Sequence, residues 1–243
     1  MKNHLRLLNL IIGLISIFSI SSCNSNNSEE QLTQAKQKID QGKYREAISI
    51  IEEIERHSAN NHEALNVKGV AYFLMQEHSK ALGTFSTAIE IDSTHSKYFE
   101  NRANVKRHLK DNKGAIQDYT RAIALQGNNA NAFLNRALCE INTGYTEEAL
   151  ADFNKAEQLS AGKDMKVFFY RAKLLMTQER FEEAIVDLDK AIDLAPNHAD
   201  SFYYRAMAET GANGVSDKVC ELLRKANNLG SDAAASAMAE YCQ

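Results

Sequence analysis

The chain has 243 residues, of which 44% are hydrophobic and 25% are charged, and its formal net charge is −4. This is an ordinary soluble composition, and a mildly acidic chain offers phosphates no cationic patch, which excludes nucleic acid as an expected partner. A single Pro and no Trp favour long helices, because Pro breaks helix interiors.

The first 22 residues predict an export signal. Lys2 and Arg6 precede an apolar run over residues 7–20, which is short for a transmembrane helix and has the positive start and small-residue end of a signal peptide. The run ends in Ile-Ser-Ser-Cys at Cys23, which resembles a bacterial lipobox. The alternative is an ordinary secretory signal with an incidental Cys.

The lipobox resemblance implies that residues 1–22 are removed and that Cys23 carries acyl and diacylglyceryl chains, the only non-protein group expected. Several acyl chains anchor a protein stably without a spanning helix. Residues 23–30 would then be the lipidated Cys and a flexible polar tether. Asn24 follows the Cys, which under enterobacterial-type sorting favours the outer membrane. The expected location is the bacterial cell envelope, on the periplasmic side of the outer membrane.

Residues from about 28 to 230 repeat with a period of 34. An Ala followed by Ile or Leu recurs at Ala47, Ala81, Ala115, Ala149 and Ala184, with spacings of 34, 34, 34 and 35 residues. A period of this length predicts stacked helix pairs rather than one closed globule. The predicted units cover about residues 28–61, 62–95, 96–129, 130–163, 165–198 and 199–230, and a capping helix follows at 231–243.

Several units carry one common pattern of small and aromatic residues. In the third unit its members are Phe99, Ala103, Ala115, Tyr119 and Ala122. The chain therefore resembles tetratricopeptide repeat proteins over about four-fifths of its length. The resemblance implies an all-α fold, a right-handed superhelical solenoid of antiparallel helix pairs that binds protein or peptide partners in a concave groove. The first unit has Gln31 in place of the aromatic residue, so its first helix is expected to fray.

The family's groove positions, carried over by register, give candidate binding residues on the first helix of each pair. Many of these side chains could instead pack against neighbouring helices, and that alternative stays open. The candidates are Asn66, Phe73, Lys97, Asn104, Arg107, Leu134, Asn135, Lys166, Phe169, Lys173, Tyr203 and Met207.

One groove type of the family, the carboxylate clamp, can be rejected. Its five positions hold Glu100, Asn104, Asn135, Lys166 and Tyr170. Glu100 and Tyr170 replace two cations, and Glu100 would repel the terminal carboxylate of a peptide.

Arginines and aspartates recur in register. Arg102, Arg136, Arg171 and Arg205 occupy one position of four first helices, and Asp118, Asp152 and Asp187 occupy one position of three second helices. The arginines could form a ligand-binding row or a ladder of structural ion pairs. The matching acids favour the ladder, because a planar guanidinium binds a carboxylate through two parallel hydrogen bonds.

The remaining cysteines allow one disulfide. Cys220 and Cys242 could face each other and form a bond that closes a loop at the C-terminal end. Such a disulfide can persist outside the cytoplasm. The alternative is two free thiols. Cys139 lies inside a first helix and is expected to be a buried free thiol.

No metal site or catalytic residue is expected. The histidines show no i, i+4 spacing, and the sequence has no Cys-x-x-Cys, nucleophile elbow or phosphate loop. Two functions remain: a lipid-anchored adaptor that binds protein partners in the envelope, or a structural subunit or assembly factor of an envelope machine of the outer-membrane or pilus type. An enzyme is not expected.

Overall fold

A computed structural model of the chain describes residues 27–242, which form thirteen helices and no strand. The predicted signal segment over residues 1–22, Cys23 and residues 24–26 lie outside the described residues. The chain divides into two compact units, one ending at Leu109 and the other beginning at Lys110. The first contains α1 (27–40), α2 (Tyr44–His57), α3 (His62–Leu74), α4 (His78–Ile91) and α5 (Ser96–His108).

The second unit continues the same alternation of helices. Its helices α7, α9 and α11 begin at residues 130, 165 and 199, which coincide with the starts of three units in the sequence pattern. The helices are α6 (Asn112–Leu125), α7 (Ala130–Thr143), α8 (Thr146–Leu159), α9 (Met165–Thr177), α10 (Phe181–Leu194), α11 (Ala199–Asn213), α12 (Asp217–Asn228) and α13 (Asp232–Tyr241).

Five inter-helix turns contain a left-handed residue at the same place in the period. These residues are Gly42, Gln76, Lys110, Gly144 and Glu179, with φ between 59° and 85°. A left-handed residue after a helix lets the chain reverse while later amide groups satisfy the last carbonyls. At the α7–α8 turn, for example, the Tyr145 amide donates to the Glu140 carbonyl at 3.0 Å. Only two of the five are Gly, so three turns hold side chains in a conformation that L-residues disfavour.

Side-chain caps mark the starts of three first helices, α3, α7 and α9. Asn129 accepts from the amides of Asn131 and Ala132 at the start of α7, and Asp164 accepts from the Lys166 amide at 3.0 Å at the start of α9. Asn and Asp are favoured at this position because their side-chain oxygens satisfy amides that lack a helical partner. These caps set the register of the helices that carry most candidate binding residues.

The repeating Ala marker lies at the centre of each helix pair. Ala81, Ala115, Ala149 and Ala184 are completely buried. The residue four positions later lies one turn along the same helix face and is large and buried in every case: Phe85, Tyr119, Phe153 and Leu188. A small residue beside a large one lets the two helices approach and interlock. This small–large pair recurs once in each helix pair, so it repeats with the 34-residue period.

Both ends of the described chain are packed. Helix α1 runs from the first described residue to residue 40 despite Gln31, because Leu32 and Ala35 are buried against α2. At the other end, Ala234 and Ala237 of α13 pack against α12, and Cys220 and Cys242 are joined in a disulfide across 22 residues. Cys139 is a buried thiol that is not part of a disulfide. The disulfide fastens the last helix to its neighbour.

Reduction of this disulfide should loosen α12 and α13. In the chain-entropy account, opening a loop of this length lowers the free energy of unfolding by about 3 kcal/mol. Hydrogen exchange of the oxidised and reduced protein should show faster exchange in α12 and α13 and no change in α3. A Cys220→Ser, Cys242→Ser variant serves as the control, since reductant should not affect it. Equal protection of α12 and α13 before and after reduction would contradict the prediction.

Candidate partner-binding surface

The candidate groove residues all lie on alternate helices of the chain. They are divided between the two compact units. Asn66 and Phe73 are on α3; Lys97, Asn104 and Arg107 on α5; Leu134 and Asn135 on α7; Lys166, Phe169 and Lys173 on α9; and Tyr203 and Met207 on α11.

In the first unit, polar candidates of α3 and α5 contact neighbouring polar groups. Asn101 Nδ2 donates to Asn66 Oδ1 at 2.8 Å, which joins the two helices. Lys97 is exposed, and its Nζ lies 3.3 Å from Glu100 Oε2. Asn66 and Lys97 therefore each have a polar partner within the chain already.

The ends of α3 and α5 carry a more apolar patch. The Phe73 ring lies 5.1 Å from that of His108, edge to face, and 5.7 Å from that of His78. Next to it, Leu74 is 44% exposed. The Arg107 Nε is buried and has no hydrogen-bond partner among the described residues. This patch therefore combines an exposed apolar side chain, Leu74, with a guanidinium group, that of Arg107, whose Nε makes no hydrogen bond among the described residues.

The second unit contains a cluster of aromatic rings on α9 and α11. The Phe169 ring is at its centre, with the rings of Tyr170, His198 and Tyr204 between 5.0 and 5.5 Å away and nearly perpendicular. Lys173 Nζ lies 4.6 Å from the centroid of Tyr204 and 5.5 Å from that of Phe169. A cation over aromatic faces is attracted by their electron density. The cluster therefore holds Lys173 in a fixed place.

We define the α9–α11 surface as five side chains of α9 and α11 that are not buried: Lys166, Lys173, Tyr203, Tyr204 and Met207. Lys166 is exposed and the other four are half-buried. The Tyr203 ring lies 5.2 Å from that of Tyr204, edge to face. Sequence reasoning missed Tyr204, although its place directly after Tyr203 in the repeat could have signalled it.

Two candidates belong to the core rather than to an accessible surface. Leu134 is 4% and Phe169 6% exposed. Helices α7 and α9 contact each other directly, so side chains between them are buried together, and Leu134 packs in the same cluster as Val167 and Leu174. A partner can reach neither side chain without displacing the helices. Leu134 and Phe169 instead support the side chains that pack over them. This agrees with the alternative interpretation, in which such side chains pack against neighbouring helices.

The regular arginines are saturated by ion pairs and hydrogen bonds. Arg171 binds Asp187 through two parallel bonds of 2.7 Å, and its Nη1 also donates to Asn154 and Glu157 of the preceding helix pair. Arg136 binds Asp152 in the same way at 2.7 and 2.8 Å. Each arginine thus connects its own second helix to the preceding one. The arrangement is a structural ladder, and it leaves these guanidinium groups few donors for a ligand.

At the C-terminal end of the arginine row, Arg205 uses other acids as acceptors. Arg102 Nη1 donates to Ser86 Oγ at 3.1 Å in the first unit, and Asp118 is buried in the second. Arg205 binds Asp189 of α10 at 2.6 Å and Glu209 of its own helix at 2.5 Å. Arg205, together with Lys218 and Asn213, lowers the pKa of Glu209 to about 2 although burial opposes this shift. In the regular pairs the acid lies 16 residues after the arginine; here that residue is Glu221 of α12, and Arg205 instead binds acids of α10 and α11.

Glu140 is a buried acid beside the Arg136–Asp152 pair. Its Oε1 lies 3.6 Å from Arg136 Nε, and its Oε2 has no hydrogen-bond partner among the described residues. Burial, helped by the charges of Asp152 and Glu148, raises the pKa of Glu140 to about 7 against the opposing effect of Arg136. Its proton is therefore held by the folded state across the mildly acidic range.

Glu140→Gln should stabilise the protein at pH 8 and have little effect at pH 4. Because the folded-state pKa lies above the unfolded value, the folded state binds more protons between pH 4.5 and 7, and wild-type stability falls as pH rises through that window. The difference in free energy of unfolding should grow to on the order of 2 kcal/mol above pH 7. Urea denaturation of both proteins across this range measures it. A difference that is independent of pH would contradict the assignment.

A second group of titratable side chains was not expected from the sequence. His62, Asp92 and His95 have ligand atoms that all lie within 4.8 Å of one another. Helix-local spacing cannot reveal this group, because the two histidines are 33 residues apart. That separation is close to the repeat period, and residues one period apart lie at the corresponding ends of successive helix pairs. The 34-residue period was therefore the sequence feature that could have predicted this group.

Within residues 27–242, no helix combines the length and apolar character required to cross a bilayer. Comparison with known families assigns the repeats. Tetratricopeptide repeat profiles match residues 32–96 and 101–164, and a further one matches residues 165–198. The chain belongs to the tetratricopeptide repeat family. Proteins of this family bind protein or peptide partners, and the repeats serve as a scaffold for protein–protein interaction.

Curated relatives match this tetratricopeptide repeat chain over part of their length. DnaJ homolog subfamily C member 7 of Mus musculus is 29% identical over 55% of the chain and 29% of the relative. Its homolog in Dictyostelium discoideum is 31% identical over 40% of the chain and 19% of the relative. Tetratricopeptide repeat protein 36 of Danio rerio is 35% identical over 40% of the chain and 54% of the relative. The chain therefore spans less than a third of the two DnaJ relatives and about half of tetratricopeptide repeat protein 36.

Solved structures of similar fold match more of the chain. PilF of Pseudomonas aeruginosa has a TM-score of 0.78 at 16% identity, covering 89% of this chain and 99% of PilF. The type IV pilus biogenesis factor PilW has a TM-score of 0.75 at 17% identity, covering 87% and 98%. YrrB, described as having an unusual peptide-binding site, has a TM-score of 0.66 at 20% identity, covering 77% and 96%. At these identities the likeness concerns the fold, and the predicted all-α solenoid of antiparallel helix pairs is confirmed.

Proposed function

We propose that this chain is a lipid-anchored scaffold of a bacterial cell envelope that binds protein or peptide partners and catalyses no reaction itself. The family supplies the general mode of action. The particular partner surface, the anchor and the location are proposals that the following observations support.

The α9–α11 surface is the observation on which the proposal depends most. Tyr and Met are enriched at protein interfaces. Lys173 and Tyr204 pack on the buried Phe169, and Tyr203 packs on Tyr204. Side chains that are already ordered lose little freedom when a partner binds. An extended or helical segment with apolar side chains fits such a surface, with the lysines favouring acidic residues at its margin.

The perturbed acids support a scaffold rather than an enzyme. A displaced pKa often marks a functional group in a cleft, but ion-pair networks displace pKa values as well. Glu140 and Glu209 both adjoin arginines that connect helices. We assign their displaced pKa values to the framework.

Export to the envelope is supported by two independent features. The N-terminal segment has the charge, apolar length and terminal Cys23 of a lipoprotein signal, and it lies outside the described residues. The Cys220–Cys242 disulfide suits an oxidising compartment such as the periplasm. We propose attachment through acyl chains on Cys23 to the outer membrane, with the repeats facing the periplasm.

Replacement of Cys23 tests the anchor. Wild-type protein should fractionate with membranes and carry acyl mass at its N-terminal Cys, whereas Cys23→Ser should lack that mass and leave the membrane fraction. A wild-type protein with an unmodified Cys23 would exclude the anchor.

Affinity purification from native envelopes tests the partner surface. The double variant Lys173→Ala, Tyr203→Ala should lose partners that wild type recovers. Val186→Ala is the matched control, because Val186 is 68% exposed on α10, outside the α9–α11 surface, and should recover them fully. Phe169 is unsuitable for this test because its removal would disturb the core. Equal recovery by all three proteins would exclude this surface.

A structural subunit or assembly factor of an envelope machine is the second candidate. The observation that favours it is that PilF and PilW are matched over nearly their whole length with high TM-scores. Size measurement of the protein over a range of concentrations distinguishes the two. A concentration-independent monomer favours the adaptor, and self-association favours the structural subunit.

A further inference from the structure

Three side chains from three helix ends converge in the first unit. His62 is the first residue of α3, Asp92 follows the last residue of α4, and His95 precedes the first residue of α5. Asp92 Oδ2 lies 3.7 Å from His62 Nε2 and 3.2 Å from His95 Nε2. Two imidazole nitrogens are thus directed at one carboxylate oxygen.

These separations are close to those of ligands around one metal ion. Zn²⁺ binds imidazole nitrogen and carboxylate oxygen at about 2.0–2.2 Å in tetrahedral geometry, which separates neighbouring ligand atoms by roughly 3.4 Å. The observed 3.2 and 3.7 Å lie on either side of this value. Small side-chain rotations would open the group around an ion.

The neighbouring hydrogen bonds orient the ligand atoms. Tyr98 Oη lies 2.7 Å from His62 Nδ1, on the ring side away from Asp92. The backbone amide and hydroxyl of Thr94 donate to Asp92 Oδ1 at 2.8 and 2.7 Å, which leaves Oδ2 for the imidazoles. A partner on the second ring nitrogen fixes the orientation of a metal-binding imidazole. When Nδ1–H donates to Tyr98, the Nε2 lone pair is free to bind a metal.

The Tyr98 side chain is buried, and its hydroxyl oxygen can accept that hydrogen bond. The side chains of His62, Asp92 and His95 are 28%, 27% and 42% exposed, so an ion can enter from solvent.

We propose that His62, Asp92 and His95 bind one divalent transition-metal ion of the zinc type, with water completing its coordination. The ion would fasten the start of α3 to the turn between α4 and α5. The expectation of no metal site rested on spacing within single helices, whereas this site combines residues one repeat period apart. The alternative is a hydrogen-bonded group in which both imidazoles donate to Asp92 and no ion binds. The proposal is independent of the partner surface in the second unit.

Metal titration of the full-length, untagged, chelator-treated protein tests the proposal. Co²⁺ should produce the visible absorption of a low-symmetry site, and calorimetric titration with Zn²⁺ should give one ion per chain. His95→Ala and Asp92→Ala should each weaken binding at least tenfold. Tyr98→Phe should weaken it about tenfold, in the range found for groups that orient metal ligands.

The second histidine pair supplies a matched control. The His78 and His108 rings are 5.7 Å apart, and no carboxylate is grouped with them among the described residues. His108→Ala should therefore bind Zn²⁺ as tightly as wild type. Zn²⁺ should also raise the unfolding temperature of wild type and His108→Ala but not that of His95→Ala, whose folding is checked by circular dichroism and by the variant His95→Gln. Binding only at millimolar Zn²⁺, or binding that survives both His95→Ala and Asp92→Ala, would overturn the proposal.

Discussion

Asp187→Ala should be among the most destabilising substitutions in the chain, lowering the free energy of unfolding by about 3–5 kcal/mol. The substitution leaves the Arg171 guanidinium, whose side chain is only 13% exposed, without the carboxylate that accepts two of its hydrogen bonds. Asn154 and Glu157 bind the opposite edge of the guanidinium and cannot replace those bonds. Urea denaturation of the two proteins at pH 7 measures the difference.

Glu183→Ala is the matched control for this experiment. Arg180 binds Glu183 with the same two-bond geometry, at 2.7 Å for both bonds, but the side chains are 41% and 59% exposed. Exposed ion pairs contribute little because solvent screens them, so this variant should unfold almost as wild type does. If the two substitutions destabilise equally, burial of the Arg171–Asp187 pair is not what makes it important.

The effect of Gly69→Ala on the free energy of unfolding should change sign when Phe85 is also replaced by Ala. An Ala side chain at Gly69 would lie 2.6 Å from Cε1 of the buried Phe85 ring, so Gly69→Ala should destabilise the protein by about 1–3 kcal/mol. Phe85→Ala should cost about 3–5 kcal/mol through the cavity that it leaves. In the Phe85→Ala protein the clash is absent, so Gly69→Ala should instead stabilise, by filling space and favouring the helix.

A second helical glycine controls for the effect of backbone freedom. Gly83 lies on the exposed side of α4, and a side chain there would meet nothing within 4 Å. Gly83→Ala should therefore stabilise by up to about 1 kcal/mol in either background. Equilibrium denaturation of the six proteins completes the cycle. If Gly69→Ala is as benign as Gly83→Ala in the wild-type background, the close contact between α3 and Phe85 is incorrect.

The repeating helix pairs were predictable because their determinants are local. The Ala marker and the large residue four positions later lie on one helix face, and the period follows from placing one such face against the next. The turn conformations were less predictable. Gln76, Lys110 and Glu179 adopt positive φ at places where a side chain disfavours it, since packing of the flanking helices overrides local preference.

The candidate surface was predictable only in part because family register specifies a helix face and not its burial. Lys166 and Tyr203 are accessible, but Leu134 and Phe169 are covered by the direct packing of neighbouring first helices. The arginine ladder was easier to predict, because the recurring acids in matching register identified its partners. Arg205 departs from it by binding Asp189 and Glu209 instead of an Asp of its own second helix. His62, Asp92 and His95 meet through tertiary packing, which no spacing within one helix encodes.

Site-specific photo-crosslinking in living cells tests the central claim, that partners bind the α9–α11 surface. A photoreactive residue at Tyr203 should capture a defined protein, whereas the same residue at exposed Val186 of α10 should not. Adding Lys173→Ala to the protein that carries the photoreactive residue at position 203 should reduce the yield of that product. Capture of the same proteins with equal yield from Tyr203 and Val186 would contradict the claim.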